Sequence, residues 1–141
     1  MKIWNECPFK HKLSYLDNIN SFLGNEFTAF GTAMHSVCEN LILDEKKDFN
    51  ANEHFMLSFI EELKRIKGLG VNLRKDLVLE MKDQGAPIFD HIIPAVKEYF
   101  SEYDVIAVEE PLMEEITEFD SDGVKFKGFI DLVLKTSDGK Y

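Results

Sequence analysis

The sequence predicts an α+β fold, with helices first and an antiparallel β-meander after them. Three observations carry this expectation. Up to about Phe100 the apolar residues recur at the three- and four-residue spacing of amphipathic helices. After Tyr103 they alternate with polar ones, which is the two-residue period of a strand. Two turn sequences, Asp120-Ser121-Asp122-Gly123 and Ser137-Asp138-Gly139, then punctuate the alternating part.

The helical part begins with Ile3 to Leu16, read as a short helix with a basic face formed by Lys10, His11 and Lys12. A loop containing Asn18, Asn20, Ser21 and Gly24 follows. Phe30 to Leu43 is a clear helix, with Phe30, Ala33, Met34, Val37, Leu41 and Ile42 in one stripe. Asp44 to Asn50 is a charged connector. Asn52 to Ile66 is the next helix, with Asn52 as N-cap, basic residues in its last turn and Gly68 as its stop. A third stretch, Asn72 to Lys82, has weaker helical spacing. Pro87 to Tyr103 is a long helix in which Pro87 suits the first position and Pro94 should produce a kink.

Val105 to Leu112 is rich in β-formers. In Val124 to Leu134 the residues Phe126, Ile130, Leu132 and Leu134 share one face with Gly128. Lys125, Lys127, Phe129, Asp131, Val133 and Lys135 share the other. The second turn is followed only by Lys140 and Tyr141, so the meander is expected to be incomplete at the C-terminus. The 141 residues fit a single domain, with a helical insert at about 44–86.

Composition narrows the function classes. Apolar residues make up 45% and aromatics 12%, proportions that suit a packed core and argue against disorder. No apolar run is long enough to span a bilayer, and the start, MKIWNECPFK, has no secretory apolar region. Two cysteines, Cys7 and Cys38, do not make a disulfide framework, so free thiols and a cytoplasmic location are expected. The net charge of −10 argues against broad, non-specific binding to phosphate backbones. The excess acid is concentrated, with nine acidic and no basic residues from Ser101 to Gly123. A local metal site rich in carboxylates is compatible with that pattern.

Three groups could carry chemistry. His35 follows the stripe residue Met34, and Glu39 lies one helical turn beyond it on the same face. The pair reads either as a metal-ligating histidine with an acidic neighbour or as a structural histidine bonded to that neighbour. Asp131 sits between Phe129 and Val133 on one strand face. A carboxylate buried there would need a cation or hydrogen bonds, while one at a strand edge would simply reach solvent. Glu109 and Glu110 end a strand before Pro111. Adjacent strand residues face opposite ways, so at most one of them can share a site with Asp131.

These residues stand in a familiar order. A Cys7-Pro8-Phe9-Lys10 opening precedes a helix with Gly31-Thr32-Ala33-Met34-His35. A helical stretch, an acidic strand and a hairpin with Gly128-Phe129-Ile130-Asp131 come after it. This order resembles the RecB-like exonuclease branch of the PD-(D/E)XK nuclease superfamily, over nearly the whole chain. The resemblance implies a restriction-endonuclease-like α/β core with His35 as a metal ligand and Asp131 as the central metal-binding carboxylate. Glu110 or Glu109, and Glu39, would be supporting acids. It implies Mg²⁺ or Mn²⁺ as cofactor and DNA as substrate, with a helicase or a recombination protein as a further partner. The family's next strand carries an acid-x-Lys pattern that this sequence lacks after its second turn. A complete version is therefore expected to cut DNA in recombination, repair or phage DNA processing, and the chain as given to be inactive. Some relatives bind an iron–sulfur cluster through an N-terminal Cys and three later ones. Cys7 matches the first and the other three are not in this sequence, so no cluster is expected.

Two other classes compete with this reading. One is a non-catalytic module with a degenerate nuclease fold that docks on a DNA-processing partner. The other is a helical interaction domain unrelated to nucleases. The nuclease reading requires His35 and Asp131 to converge on one cleft.

Overall fold

The computed structural model describes residues 2–17, 19, 22–43, 49–115 and 125–141. Helices α1 (Lys2–Glu6) and α2 (Pro8–His11) come first, followed by a π-type turn at Lys12–Leu16. Three long helices follow, α3 (Glu26–Leu43), α4 (Ala51–Gly68) and α5 (Lys75–Phe100). Strands β1 (Tyr103–Glu115) and β2 (Lys125–Thr136) close the order. They pair antiparallel, as the α+β expectation requires.

The opening helix expected over Ile3 to Leu16 is broken. Cys7 is extended (φ −159°, ψ 99°) because the ring of Pro8 excludes the helical conformation from the residue before it. Pro8 then starts α2, where its missing N–H costs nothing.

Helix α3 starts one turn earlier than the apolar stripe suggests. Asn25 and Thr28 exchange hydrogen bonds: the Thr28 N–H donates to Asn25 Oδ1 at 3.0 Å and the Asn25 N–H to Thr28 Oγ1 at 2.8 Å. This reciprocal cap satisfies two donors that would otherwise be orphaned. Helix α4 is capped by Asn50, not Asn52: its side chain accepts from the Glu53 N–H at 3.1 Å.

The largest departure is α5. Two helices with a break near residue 86 were expected, and one continuous helix runs from Lys75 to Phe100 with Pro87 and Pro94 inside it. Met81, Gly85 and Phe89 are buried and share one face with Leu77, Val78 and Ile92, which pack against the core. Both prolines lie on the exposed side, so the carbonyls they leave without a donor, four residues earlier at Asp83 and Asp90, also lie there and can be hydrated.

The core forms where α3, α4 and α5 meet. Ala29, Ala33 and Val37 of α3 are fully buried against Phe55, Phe59 and Ile66 of α4. Phe55 stacks on Phe59 with centroids 5.4 Å apart, and Phe30 meets both rings edge-on. The described part of the 44–86 stretch thus supplies the largest core side chains. Glu26 is buried at the head of α3, where its carboxylate accepts the Arg74 N–H at the start of α5.

In the ribbon, Val108 pairs with Leu132, Glu110 with Ile130 and Leu112 with Gly128, and the register shifts between Val105 and Ala107. Burial concentrates near Leu134, while Phe126, Phe129 and Ile130 are exposed. The ribbon meets the helices chiefly through β1 on α3. The turn expected at Asp120-Ser121-Asp122-Gly123 and most of the connector after Leu43 lie outside the described residues. The second turn is present: Gly139 has φ +82° and its N–H donates to the Thr136 carbonyl at 2.9 Å. The Thr136 N–H in turn donates to the Lys140 carbonyl at 2.9 Å.

Candidate metal centre

Helix α3 presents two stripes. Ala29, Ala33 and Val37 repeat every four residues toward the core. His35 is two residues from Ala33 and from Val37, so it projects roughly 200° around the helix from the first and from the second, away from that core. His35, Cys38, Glu39 and Ile42 follow at the spacing of a second face. With Val108, Asp131 and Leu132 of the ribbon they line a pocket of about 200 Å³. The site is thus the joint between the outer face of α3 and the hairpin.

Within that joint His35 Nε2 lies 3.1 Å from Glu109 Oε1 and 3.8 Å from Asp131 Oδ1. One ligand atom from each of His35, Glu109 and Asp131 falls within 4.8 Å of the others. On the other side of the ring, His35 Nδ1 lies 3.5 Å from Glu39 Oε1. His35 and Asp131 converge, as the nuclease reading requires.

The ribbon decides between the paired glutamates. Glu110 pairs with Ile130 and is exposed away from the cluster. Glu109 stands between residues whose partners flank Asp131, and its backbone is left-handed (φ +54°). That conformation is uncommon for a residue with a side chain and costs of order 1–3 kcal/mol. It interrupts the ideal pleat where the carboxylate meets His35. No pattern in the sequence signals it, which is why Glu109 and Glu110 were indistinguishable there.

Asp131 differs from expectation in its surroundings. Its side chain is 76% exposed, so the carboxylate is not desolvated within an apolar face. Phe129 is exposed as well, and only Leu132 and Val133 nearby are half-buried. Asp131 forms the open rim of the site, and Glu109 brings a buried carboxylate oxygen up to His35 beside it.

The donor set suits a divalent cation. Glu109 Oε1 is buried and has no hydrogen-bond partner, since its approach to His35 Nε2 lacks the geometry of an N–H donor bond. An orphaned carboxylate oxygen beside a second carboxylate is stabilised by a positive charge between them. Two carboxylates and one imidazole make an oxygen-rich site with a single borderline nitrogen. Cys38 lines the pocket as a neutral thiol. Burial first, and the neighbouring Glu39 carboxylate second, push its pKa up, away from the thiolate a metal would need.

The model of the PD-(D/E)XK nuclease superfamily matches residues 2–141. The chain belongs to the PD-(D/E)XK nuclease superfamily. Neither a curated protein nor a solved structure matches it. Nucleases of this superfamily use divalent metals and act on DNA, and the mixed fold of helices followed by antiparallel strands agrees with the superfamily's restriction-endonuclease-like core. No helix among the described residues is long and apolar enough to cross a membrane.

A literal acid-x-Lys, Asp138-Gly139-Lys140, does occur, but in the final turn. Lys140 Nζ lies 2.5 Å from Asp138 Oδ2, and both residues border a different cavity, beside Tyr99 and Phe100. Neither belongs to the His35 cluster.

Proposed function

We propose that this chain carries the metal-binding part of a DNA nuclease active site, of the RecB-like exonuclease branch, and that His35, Glu109 and Asp131 hold Mg²⁺ or Mn²⁺. The observation that carries this reading is the convergence of those three ligand atoms within 4.8 Å, from one helix and two strands. A divalent ion held by these residues would supply Lewis-acid chemistry, activating a water and relieving charge on the scissile phosphate. Asp131 and Glu109 supply the negative charge that attracts the ion. His35 Nε2 adds a nitrogen donor that favours Mn²⁺ over an all-oxygen site's preference for Mg²⁺. Ile42 from α3 and Val108 and Leu132 from the ribbon line the pocket with apolar surface, which strengthens the charge interactions beside it. The exposed Asp131 side leaves room for a phosphodiester to approach the rim.

The test joins two measurements. Mn²⁺ titrated into the chain and followed by electron paramagnetic resonance should show saturable binding that Asp131→Asn weakens. Any release of nucleotides from linear DNA by the protein in Mg²⁺ or Mn²⁺ should be abolished by Asp131→Ala. Full activity of that variant would overturn the assignment.

A further inference from the structure

Resting on the metal-centre reading above, we propose that Glu39 is a positioning residue and not a ligand: its carboxylate, 3.5 Å from His35 Nδ1, would accept the Nδ1–H when an ion is bound and so keep Nε2 turned toward that ion. The two ring nitrogens are divided between different acids. Nε2 faces Glu109 and Asp131 at 3.1 and 3.8 Å, and Nδ1 faces Glu39 at 3.5 Å. Glu39 belongs to the pocket wall, yet among the described residues the group able to share one ion consists of His35, Glu109 and Asp131.

The chemistry of imidazole makes this division consequential. A neutral ring has one N–H and one lone pair, and the acceptor at one nitrogen selects the donor atom left at the other. The charges of Glu109 and Asp131 would favour a proton at Nε2 even though neither accepts a hydrogen bond from it, and a proton there would block that nitrogen as a ligand. Glu39 is the acceptor on the opposite side, and it draws the proton to Nδ1. The two residues are one turn apart on α3, so the helix backbone fixes their spacing. Glu39 is also less exposed than its partner, at 26% against 46% for His35. Its carboxylate therefore competes with less water for that proton. Outer carboxylates that hold ligating imidazoles in this way typically contribute about 10–100-fold in metal affinity.

The test compares Glu39→Gln with Glu39→Ala on the intact chain, using Mn²⁺ as the probe. Affinity is read by titration, and the ligand shell by pulsed electron paramagnetic resonance, which registers a coordinated imidazole nitrogen and counts bound waters. The glutamine oxygen can still accept from Nδ1–H. Glu39→Gln should therefore keep the nitrogen coupling and most of the affinity. Glu39→Ala should lose about 10–100-fold in affinity with the number of bound waters unchanged. Equal losses in both variants, with one water gained, would make Glu39 a ligand and overturn the proposal. Unchanged affinity in Glu39→Ala would overturn it as well. If the unaltered chain gives no nitrogen coupling to Mn²⁺, the metal centre itself fails and the proposal falls with it. If the unaltered chain gives that coupling and the Glu39 variants do not separate, only the role of Glu39 fails.

Discussion

The imidazole Nε2 of His35 meets the buried oxygen of Glu109 at 3.1 Å, across the joint where α3 supports β1. Neither residue reaches the other through local sequence. The contact exists because the outer stripe of α3 faces the ribbon while the inner stripe is committed to the core.

The first prediction follows from that contact. Glu109→Gln keeps the shape of the side chain and removes its charge, and Asp131→Asn does the same at the rim. Each should lower Mn²⁺ affinity by at least about tenfold, since loss of a direct ligand should exceed the lower bound for outer-shell groups. Isothermal titration is the measurement. Equal affinity in the unaltered chain and both variants would remove these carboxylates from the site.

A second prediction separates stability from binding at one residue. Glu109 holds a left-handed backbone (φ +54°) that glycine adopts without penalty. Its carboxylate also lies close to that of Asp131. Glu109→Gly relieves both costs while removing a ligand. Thermal unfolding without added metal should show a midpoint no lower than that of the unaltered chain, with Mn²⁺ affinity reduced. A midpoint several degrees lower would mean that Glu109 stabilises the ribbon by a contact other than the metal.

Two glycines should respond in opposite ways to the same change. A Cβ at Gly85 would sit 2.8 Å from Phe55 Cε1 and 2.9 Å from its Cζ. Phe55 has no free direction, being 2% exposed and packed against Phe30, Phe59 and Phe89. Gly85→Ala should therefore destabilise by about 1–3 kcal/mol through overpacking. A Cβ at Gly31 meets nothing within 4 Å, and Gly31 lies inside α3. Gly31→Ala should stabilise by about 0.5–1 kcal/mol, because alanine loses less backbone entropy in a helix. Chemical denaturation resolves both signs, and a loss of stability in Gly31→Ala would contradict the open surroundings.

The sequence made some of this legible and left the rest hidden, for reasons that can be named. The meeting of His35 and Asp131 was expected from the resemblance carried by the Gly31-to-His35 and Gly128-to-Asp131 motifs, while helix and strand periods fixed only which side chains share a face, such as His35 with Glu39 on α3. The core stripe of α3 and the aromatic face of α4 followed from the same periodicity. Helix α5 was misread because proline is a strong local breaker, while the stripe from Leu77 to Ile92 that overrides it depends on what α5 packs against. The cap at Asn25 was missed because Thr28 occupies the place where the usual pattern has Glu or Gln. The solvent exposure of Asp131 depends on how much of the ribbon the helices cover, and strand alternation does not encode that.

The last prediction concerns acid. Glu26 joins the heads of α3 and α5, and its carboxylate accepts the Arg74 N–H. That backbone hydrogen bond, chiefly, holds its pKa below the ordinary carboxylate value. A group whose pKa is depressed on folding adds stability that is present above its unfolded pKa. The stability is lost as the pH falls through its folded pKa. Asp138 behaves alike at the final turn, held low first by Lys140 and then by Thr136. Urea unfolding between about pH 7 and pH 3 should therefore show stability falling on the acid side. Glu26→Gln removes the titration: it should be less stable than the unaltered chain near neutrality and show a shallower acid slope. Asp138→Asn, at an exposed turn, serves as the comparison that isolates the Glu26 contribution. An acid slope identical in Glu26→Gln and the unaltered chain would mean that the Glu26–Arg74 contact does not couple protonation to folding.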